Sequence, residues 1–203
     1  MKDLNLYSAR NSVYCYPNTN ILINKFNIQD NKILKQAEEK IVAAKLFVLR
    51  QNKMIKNFDI NHFKGIHKFL FEDIYPFAGE FRNENIAKGF FCFAEWQYIE
   101  EELTRLLTEL NKKNNLKNIS KNEFIKEIAY YMSELNVLHP FREGNGRTIR
   151  EFIRELCYVN GYLFDLQQVD AKEFLEACKK SVVDTYDLEK LVEKSLKNIN
   201  SES

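Results

Sequence analysis

The sequence predicts an all-α domain carrying one small β-hairpin, and three observations predict it. Only 6 Gly and 3 Pro occur in 203 residues, too few for a turn-rich β architecture. Apolar residues recur every three to four positions through most of the chain, the period of a helix with one buried face. One stretch, residues 85–94, breaks that rhythm with a Lys-Gly turn signal between brief apolar runs.

Taken in order, residues 1–28 read as an N-terminal lead-in segment, with Tyr7, Tyr14, Tyr16 and Pro17 but no clear period. Residues 29–203 read as one helical domain. From Asp30, the spacing of Leu34, Ala37, Ile41, Ala44 and Val48 predicts a long amphipathic helix. A second helix is expected from near Asp59, with Phe63, Ile66, Leu70 and Phe71 inward, ending before Tyr75-Pro76. His62 and His67 are expected in core or hydrogen-bonded roles, and Trp96 in packing. After the hairpin come a helix carrying Ile99, Leu103, Leu106, Leu107 and Leu110, then a lysine-rich solvated loop. Ser120 with Glu123 forms a capping-box signature for the helix of Phe124, Ile128, Met132 and Leu135. Ile149, Phe152, Ile153, Leu156 and Cys157 line a further helix, stopped by Asn160-Gly161. Asp170 with Glu173 suggests another cap, and Leu188, Leu191, Val192 and Leu196 mark a last helix at about 186–198.

Composition narrows the function. With 45% hydrophobic and 29% charged residues the chain can bury a core, unlike a disordered segment. A formal net charge of +1, from 30 basic against 29 acidic residues, argues against direct nucleic-acid binding. No apolar run approaches the roughly 20 residues that cross a bilayer. The opening MKDLNLYSARNS is too polar for a signal peptide. Cys15, Cys92, Cys157 and Cys178 show no metal-ligand spacing and read as scattered buried thiols. A cytoplasmic protein without a membrane partner is expected.

Four of the chain's arginines, Arg142, Arg147, Arg150 and Arg154, crowd into one short stretch. Where Lys is the default cation, such clustering points to multidentate recognition of an anion. Residues 139–150 read His-Pro-Phe-Arg-Glu-Gly-Asn-Gly-Arg-Thr-Ile-Arg. Pro140 stops the preceding helix, and Gly144 and Gly146 let a loop bring backbone N–H groups close to a ligand. That loop feeds a helix expected to begin at Arg147, whose N-terminus favours phosphate. Arg147 and Arg150 add planar donors for further phosphate oxygens. Glu143 would repel phosphate unless a cation lies between them, and Mg²⁺ suits one carboxylate plus substrate phosphates. His139 titrates near neutral pH and is the candidate general base. Chemistry alone thus points to Mg²⁺-dependent work on a nucleotide phosphate.

These twelve residues resemble the full signature of the Fic family, His-x-Phe-x-(Asp/Glu)-Gly-Asn-Gly-Arg-x-x-Arg, without a mismatch. Residues 70–82 resemble the segment leading to that family's flap, and residues 86–94 the flap itself. The resemblance implies a Fic-type helical domain that transfers AMP from ATP to a Tyr, Ser or Thr hydroxyl of a target protein. It makes His139 the base, Glu143 the metal holder, and Gly144, Asn145 and Gly146 the anion hole. Arg147 would grip the phosphates and Arg150 would position the γ-phosphate. Ile86, Ala87, Lys88, Gly89, Phe90, Phe91, Cys92 and Phe93 would dock a target segment by strand addition. Relatives of the Doc type carry Lys in place of Gly146 and transfer phosphate, so Gly146 implies nucleotidyl transfer.

The resemblance also suggests restraint. Family members carry an inhibitory helix with the pattern (Ser/Thr)-x-x-x-Glu-(Gly/Asn), and Thr185 to Glu189 alone has that spacing here, followed by Lys190. Glu189 is then expected to pair with Arg150 and withdraw it from ATP. Two alternatives stand beside this reading: a silent nucleotide-binding regulatory module, and a toxin restrained by a separate antitoxin. By family likeness a type II topoisomerase is a candidate target, and self-assembly into a homo-oligomer a further expectation.

Overall fold

The computed structural model describes residues 12–51, 57–89, 91–166 and 169–199. These fall into two compact units. The first takes the described residues up to Asn57, Asn61–Glu100 and His139–Asn145. The second takes Phe58–Ile60, Glu101–Leu138 and the residues from Gly146 onward.

In the first unit, residues 12–28 form a tight turn closed by a Cys15–Leu22 bridge. The Lys25 N–H donates to the Ile74 carbonyl at 2.8 Å. Asp30 caps helix α1 (Asn31–Gln51), its Oδ1 accepting from the Ile33 N–H at 2.9 Å. The buried seam of α1 is Leu34, Glu38, Val42 and Leu49, not the expected stripe through Ala44 and Val48; Val48 is 46% exposed. The seam drifts because a carboxylate holds one place in it: the Tyr75 hydroxyl donates to Glu38, so a polar residue can be buried there. Helix α2 (Ile60–Phe71) buries Phe63, Ile66, His67, Leu70 and Phe71. After it, strands β1 (Ala87–Lys88) and β2 (Phe91–Cys92) pair antiparallel, Ala87 opposite Cys92 and Lys88 opposite Phe91. Gly89 turns the hairpin at φ +62°. Phe90 lies outside the described residues, as do residues 1–11 with Tyr7. Trp96, expected in packing, is 40% exposed.

In the second unit, helix α3 (Ile99–Lys112) buries Leu103, Leu106, Leu107 and Leu110. The lysine-rich loop has more structure than its polarity suggests. Asn114, Asn115 and Leu116 hold φ between +51° and +63°, which buries Leu116 as an anchor. Asn160 Nδ2 donates to the Asn115 carbonyl at 2.9 Å and steadies the turn. Ser120 Oγ accepts from the Glu123 N–H at 3.2 Å and starts helix α4 (Lys121–Leu138). Helix α5 (Asn145–Val159) buries Ile149, Phe152, Ile153, Leu156 and Cys157. Strand β3 (Tyr162–Phe164) follows, then helix α6 (Ala171–Lys180), capped by Asp170 through the Lys172 and Glu173 N–H groups. Helix α7 (Tyr186–Ser195) ends three residues short of the expected limit. Residues Leu196–Asn198 form strand β4 instead, because β3 takes their backbone groups in an antiparallel ladder.

Among the described residues, no helix is long and apolar enough to cross a membrane. Only one cysteine is fully buried, Cys157, whose thiol burial pushes far up; Cys92 is exposed on β2. The expectation of uniformly buried thiols therefore fails at the hairpin.

Candidate active site

The first unit holds the loop from His139 to Asn145. His139 stands at φ +44°, a left-handed conformation that residues with a Cβ seldom adopt. Its ring is buried and stacks on Phe93, centroids 3.8 Å apart and planes 18° apart. The carbonyl of His139 accepts from Arg82 Nε at 2.9 Å. Phe141 is fully buried between His67 (3.7 Å) and Phe63 (5.6 Å), stacked on each. Asn145 closes the loop from the far side: its Nδ2 donates to the Phe141 carbonyl at 2.7 Å, and its Oδ1 accepts from the Phe141 N–H at 2.8 Å. Those bonds explain why α5 begins at Asn145 rather than Arg147. They also commit the Asn145 side chain to the loop.

His67 sits under Glu143, in a hydrogen-bonded core role as expected. The Gly79 N–H donates to Nδ1 at 2.8 Å, so that nitrogen carries the lone pair. The proton is then on Nε2, which donates to the Glu143 carbonyl at 2.9 Å. This neutral imidazole fixes the backbone of Glu143 and leaves the carboxylate half-exposed, its Oε1 accepting from the Gly144 N–H at 2.8 Å. The carboxylate thus occupies an N–H that a phosphate oxygen could take.

Gly144 has φ +81°, and a Cβ there would lie 2.3 Å from Phe71 Cζ. Phe71 is fully buried and has nowhere to retreat. Left-handed strain and overpacking act together, so Gly144→Ala is expected to destabilise the fold by about 2–5 kcal/mol. Urea unfolding should show a lower midpoint at an unchanged slope.

The arginine cluster divides. Arg142 Nε donates to Glu84 Oε1 at 2.9 Å, and Arg154 pairs with Glu151 at 2.7 Å. Both side chains serve buried or nearly buried carboxylates, so neither is the anion receptor their clustering predicted.

The second unit holds the start of α5 beyond Asn145. A Cβ on Gly146 would lie 3.2 Å from Arg150 Nη1, so the guanidinium folds back over the first turn of its own helix. Burial holds the Arg150 pKa below its ordinary value, and the Arg147 charge lowers it further. Among the described residues, no carboxylate lies within 4.0 Å of Arg150. Two partly buried guanidinium groups on one turn at a helix N-terminus form a strongly anion-seeking patch. Cys178 lies near Arg150, and burial pushes its thiol up to about 11 despite that cation.

The expected Glu189–Arg150 pair does not form. Glu189 instead accepts from Thr185 Oγ1 at 2.7 Å across the first turn of α7. Thr185 stands at the N-cap but makes no side-chain cap bond: its backbone is helical (φ −80°, ψ −5°) rather than extended as a capping residue requires, and its hydroxyl donates to Glu189. A local i,i+4 bond within one helix start engages the carboxylate.

The sequence marks His67 for a core or hydrogen-bonded role but not for the support of Glu143, and it assigns no role to Arg82. His67 shows the ordinary pattern of an inward helix position. Arg82 is a lone cation in a loop, with no periodicity to mark it as buried.

The fold is that of a helical domain in which a buried loop leads into a helix N-terminus and a small hairpin lies in the same unit as that loop. The chain matches the Fic/DOC family over residues 57–157. It is 37% identical over 182 residues to the protein adenylyltransferase VbhT of Bartonella schoenbuchensis, covering 90% of this chain. It spans only 38% of that protein's length. It is 35% identical to the probable protein adenylyltransferase y4lH of Sinorhizobium fredii, covering 86% of this chain and 90% of that protein. Among solved structures, the BepC effector of Bartonella tribocorum with bound AMPPNP is 28% identical, with a TM-score of 0.86 over 91% of this chain and 96% of that one. This chain belongs to the Fic/DOC family.

Proposed function

We propose that the chain is a protein adenylyltransferase that moves AMP from ATP to a hydroxyl of a target protein. One observation carries this reading: the complete 139–150 signature has a braced histidine at one end and two partly buried cations on the first turn of α5 at the other. The names of its relatives and the AMPPNP bound to BepC support it.

In this reading His139 takes the proton of the target hydroxyl, and the freed oxygen attacks the α-phosphorus. An oxygen–phosphorus bond forms there while the bond to the β-phosphate oxygen breaks, and pyrophosphate leaves. Backbone N–H groups of Asn145 and Gly146 receive phosphate oxygens at the positive end of α5, joined by that of Gly144 once the Glu143 carboxylate releases it. Arg147 grips the phosphates, and Arg150 fixes the γ-phosphate so that the attack is in line. The flap of Ile86–Phe93 offers its short strands to an extended target segment.

Among the described residues, no group of three or more His, Cys, Asp or Glu side chains could cage a metal. A single half-exposed carboxylate suits Mg²⁺ that arrives with nucleotide phosphates, and Glu143 would hold it. Bound there, the ion would neutralise charge on the phosphates. A reducing cytoplasm as the working compartment suits the free thiols.

Restraint by Glu189 is the finer reading. Its support is the Thr-x-x-x-Glu spacing at the start of α7, in the same unit as the Arg147 and Arg150 cations; to reach Arg150 the Glu189 carboxylate would have to leave its bond with Thr185. Glu189→Gly is expected to raise AMP transfer at least tenfold, a change worth about 1.4 kcal/mol. Label from α-labelled ATP appearing on proteins of a bacterial lysate measures it. Equal labelling by both forms would refute restraint by Glu189 and favour a separate inhibitory protein.

A further inference from the structure

We infer that Arg82 is a positioning residue that locks both stems of the flap to the backbone of His139. Docking of a target strand and placement of the general base then share one geometry. The inference rests on reading His139 as the base and Ile86–Phe93 as the docking flap.

Arg82 is 1% exposed, one of the largest fully buried side chains. Its Nε donates to the His139 carbonyl at 2.9 Å, Nη1 to the Glu84 carbonyl at 2.7 Å and Nη2 to the Ala94 carbonyl at 2.6 Å. Its own backbone N–H donates to the Pro140 carbonyl at 2.9 Å. Glu84 precedes the hairpin and Ala94 follows it. One rigid, planar fork therefore holds the way into the flap, the way out of it and the loop bearing His139. A lysine, with one nitrogen on a flexible stem, cannot span three carbonyls in fixed directions.

The left-handed φ of +44° at His139 needs outside support, and the Arg82 bond falls on the carbonyl of that same residue. The flap returns the contact from its other side, where Phe93 stacks on the His139 ring. The incoming stem is fixed twice over. The Glu84 carboxylate accepts from Arg142 Nε at 2.9 Å and from Ser12 Oγ at 2.7 Å, while the Glu84 carbonyl goes to Arg82. A strand added to the flap would thus present its hydroxyl to a ring whose backbone and face are both tied to that flap.

The test uses Arg82→Lys in the full chain. The protein has 3 histidines, so their ring protons are separable by NMR. In the folded variant, the His139 signals are expected to lose the upfield displacement that stacking on Phe93 imposes. Amides of Ile86–Lys88, Phe91–Phe93 and His139–Phe141 should exchange faster, while His62 and His67 signals stay in place. AMP transfer should fall about a hundredfold with KM for ATP unchanged, since misplacing reacting groups by about 1 Å has that cost. A folded variant with unmoved His139 signals and unchanged flap exchange would overturn the inference, as would a loss confined to KM for ATP. Should Arg82→Lys not fold, the wild-type protein decides. Its Arg82 Nε–H must exchange slowly and couple through the hydrogen bond to the His139 carbonyl carbon; exchange at the rate of free arginine overturns the inference. If His139→Ala keeps AMP transfer while Arg82→Lys still displaces the His139 signals, the base assignment falls and the positioning of His139 by Arg82 stands.

Discussion

His139→Ala is expected to lower AMP transfer by about 10²- to 10⁴-fold, the usual contribution of a positioned general base. ATP binding should persist, because the phosphate groups are assigned to Gly144–Arg150 and not to the imidazole. The loop should hold its shape, since Arg82 bonds the carbonyl of residue 139 rather than its side chain. His139→Asn is the useful companion. Asn tolerates the left-handed conformation better than Ala, so it isolates loss of the base from backbone strain. Calorimetry with a non-hydrolysable ATP analogue, beside labelled transfer to lysate proteins, separates the two effects. Transfer within threefold of wild type in both variants would remove His139 from the chemistry.

Arg150→Lys is expected to lower AMP transfer by about 10²- to 10³-fold, the range seen when one preorganised donor to developing charge is lost. Lys keeps the charge, so the loss would report geometry. The Arg150 guanidinium is packed over Gly146, where burial and the nearby Arg147 charge already oppose its ionisation. A γ-phosphate would relieve that opposition through two parallel bonds, which a lysine cannot form. The sharper readout is selectivity: the wild type should bind ATP more tightly than ADP, and Arg150→Lys should lose that preference. A variant that keeps the full preference would show that Arg150 does not read the γ-phosphate.

The helices were legible wherever a leucine-rich stripe met a solvated face. The α3 leucines and the α5 face from Ile149 to Cys157 lie buried where their spacing put them. Legibility failed where a polar residue took a core place, as Glu38 does in α1 through its bond with Tyr75. It failed again where pairing partners lay far apart in sequence. Nothing local in Leu196–Asn198 announces a strand, because its partner is Tyr162–Phe164. Periodicity carries no information about such distant ladders.

The site divides along the same line. Residues 139–150 announced themselves by their types and order, and the break before Pro140 and the left-handed turn at Gly144 lie where those residue types put them. Arg142 and Arg154 show the weakness of clustering as a signal, since Glu84 and Glu151 claim them. The Thr185–Glu189 spacing gave a local bond within the start of α7 rather than an ion pair with Arg150. Arg82 and His67 were hidden for a different reason. Each acts on backbone carbonyls of the signature loop, and which carbonyls a buried side chain meets is decided only by the tertiary fold.

The most direct test of the central claim is which part of ATP ends on protein. Wild type and Glu189→Gly are incubated with Mg²⁺ and a bacterial lysate, once with α-labelled and once with γ-labelled ATP, with Glu189→Gly/His139→Ala as control. AMP transfer predicts α-label on a protein in Glu189→Gly, absent from the control, and no γ-label above it. The account is contradicted by γ-label that depends on His139, or by no label from either nucleotide in wild type and Glu189→Gly alike.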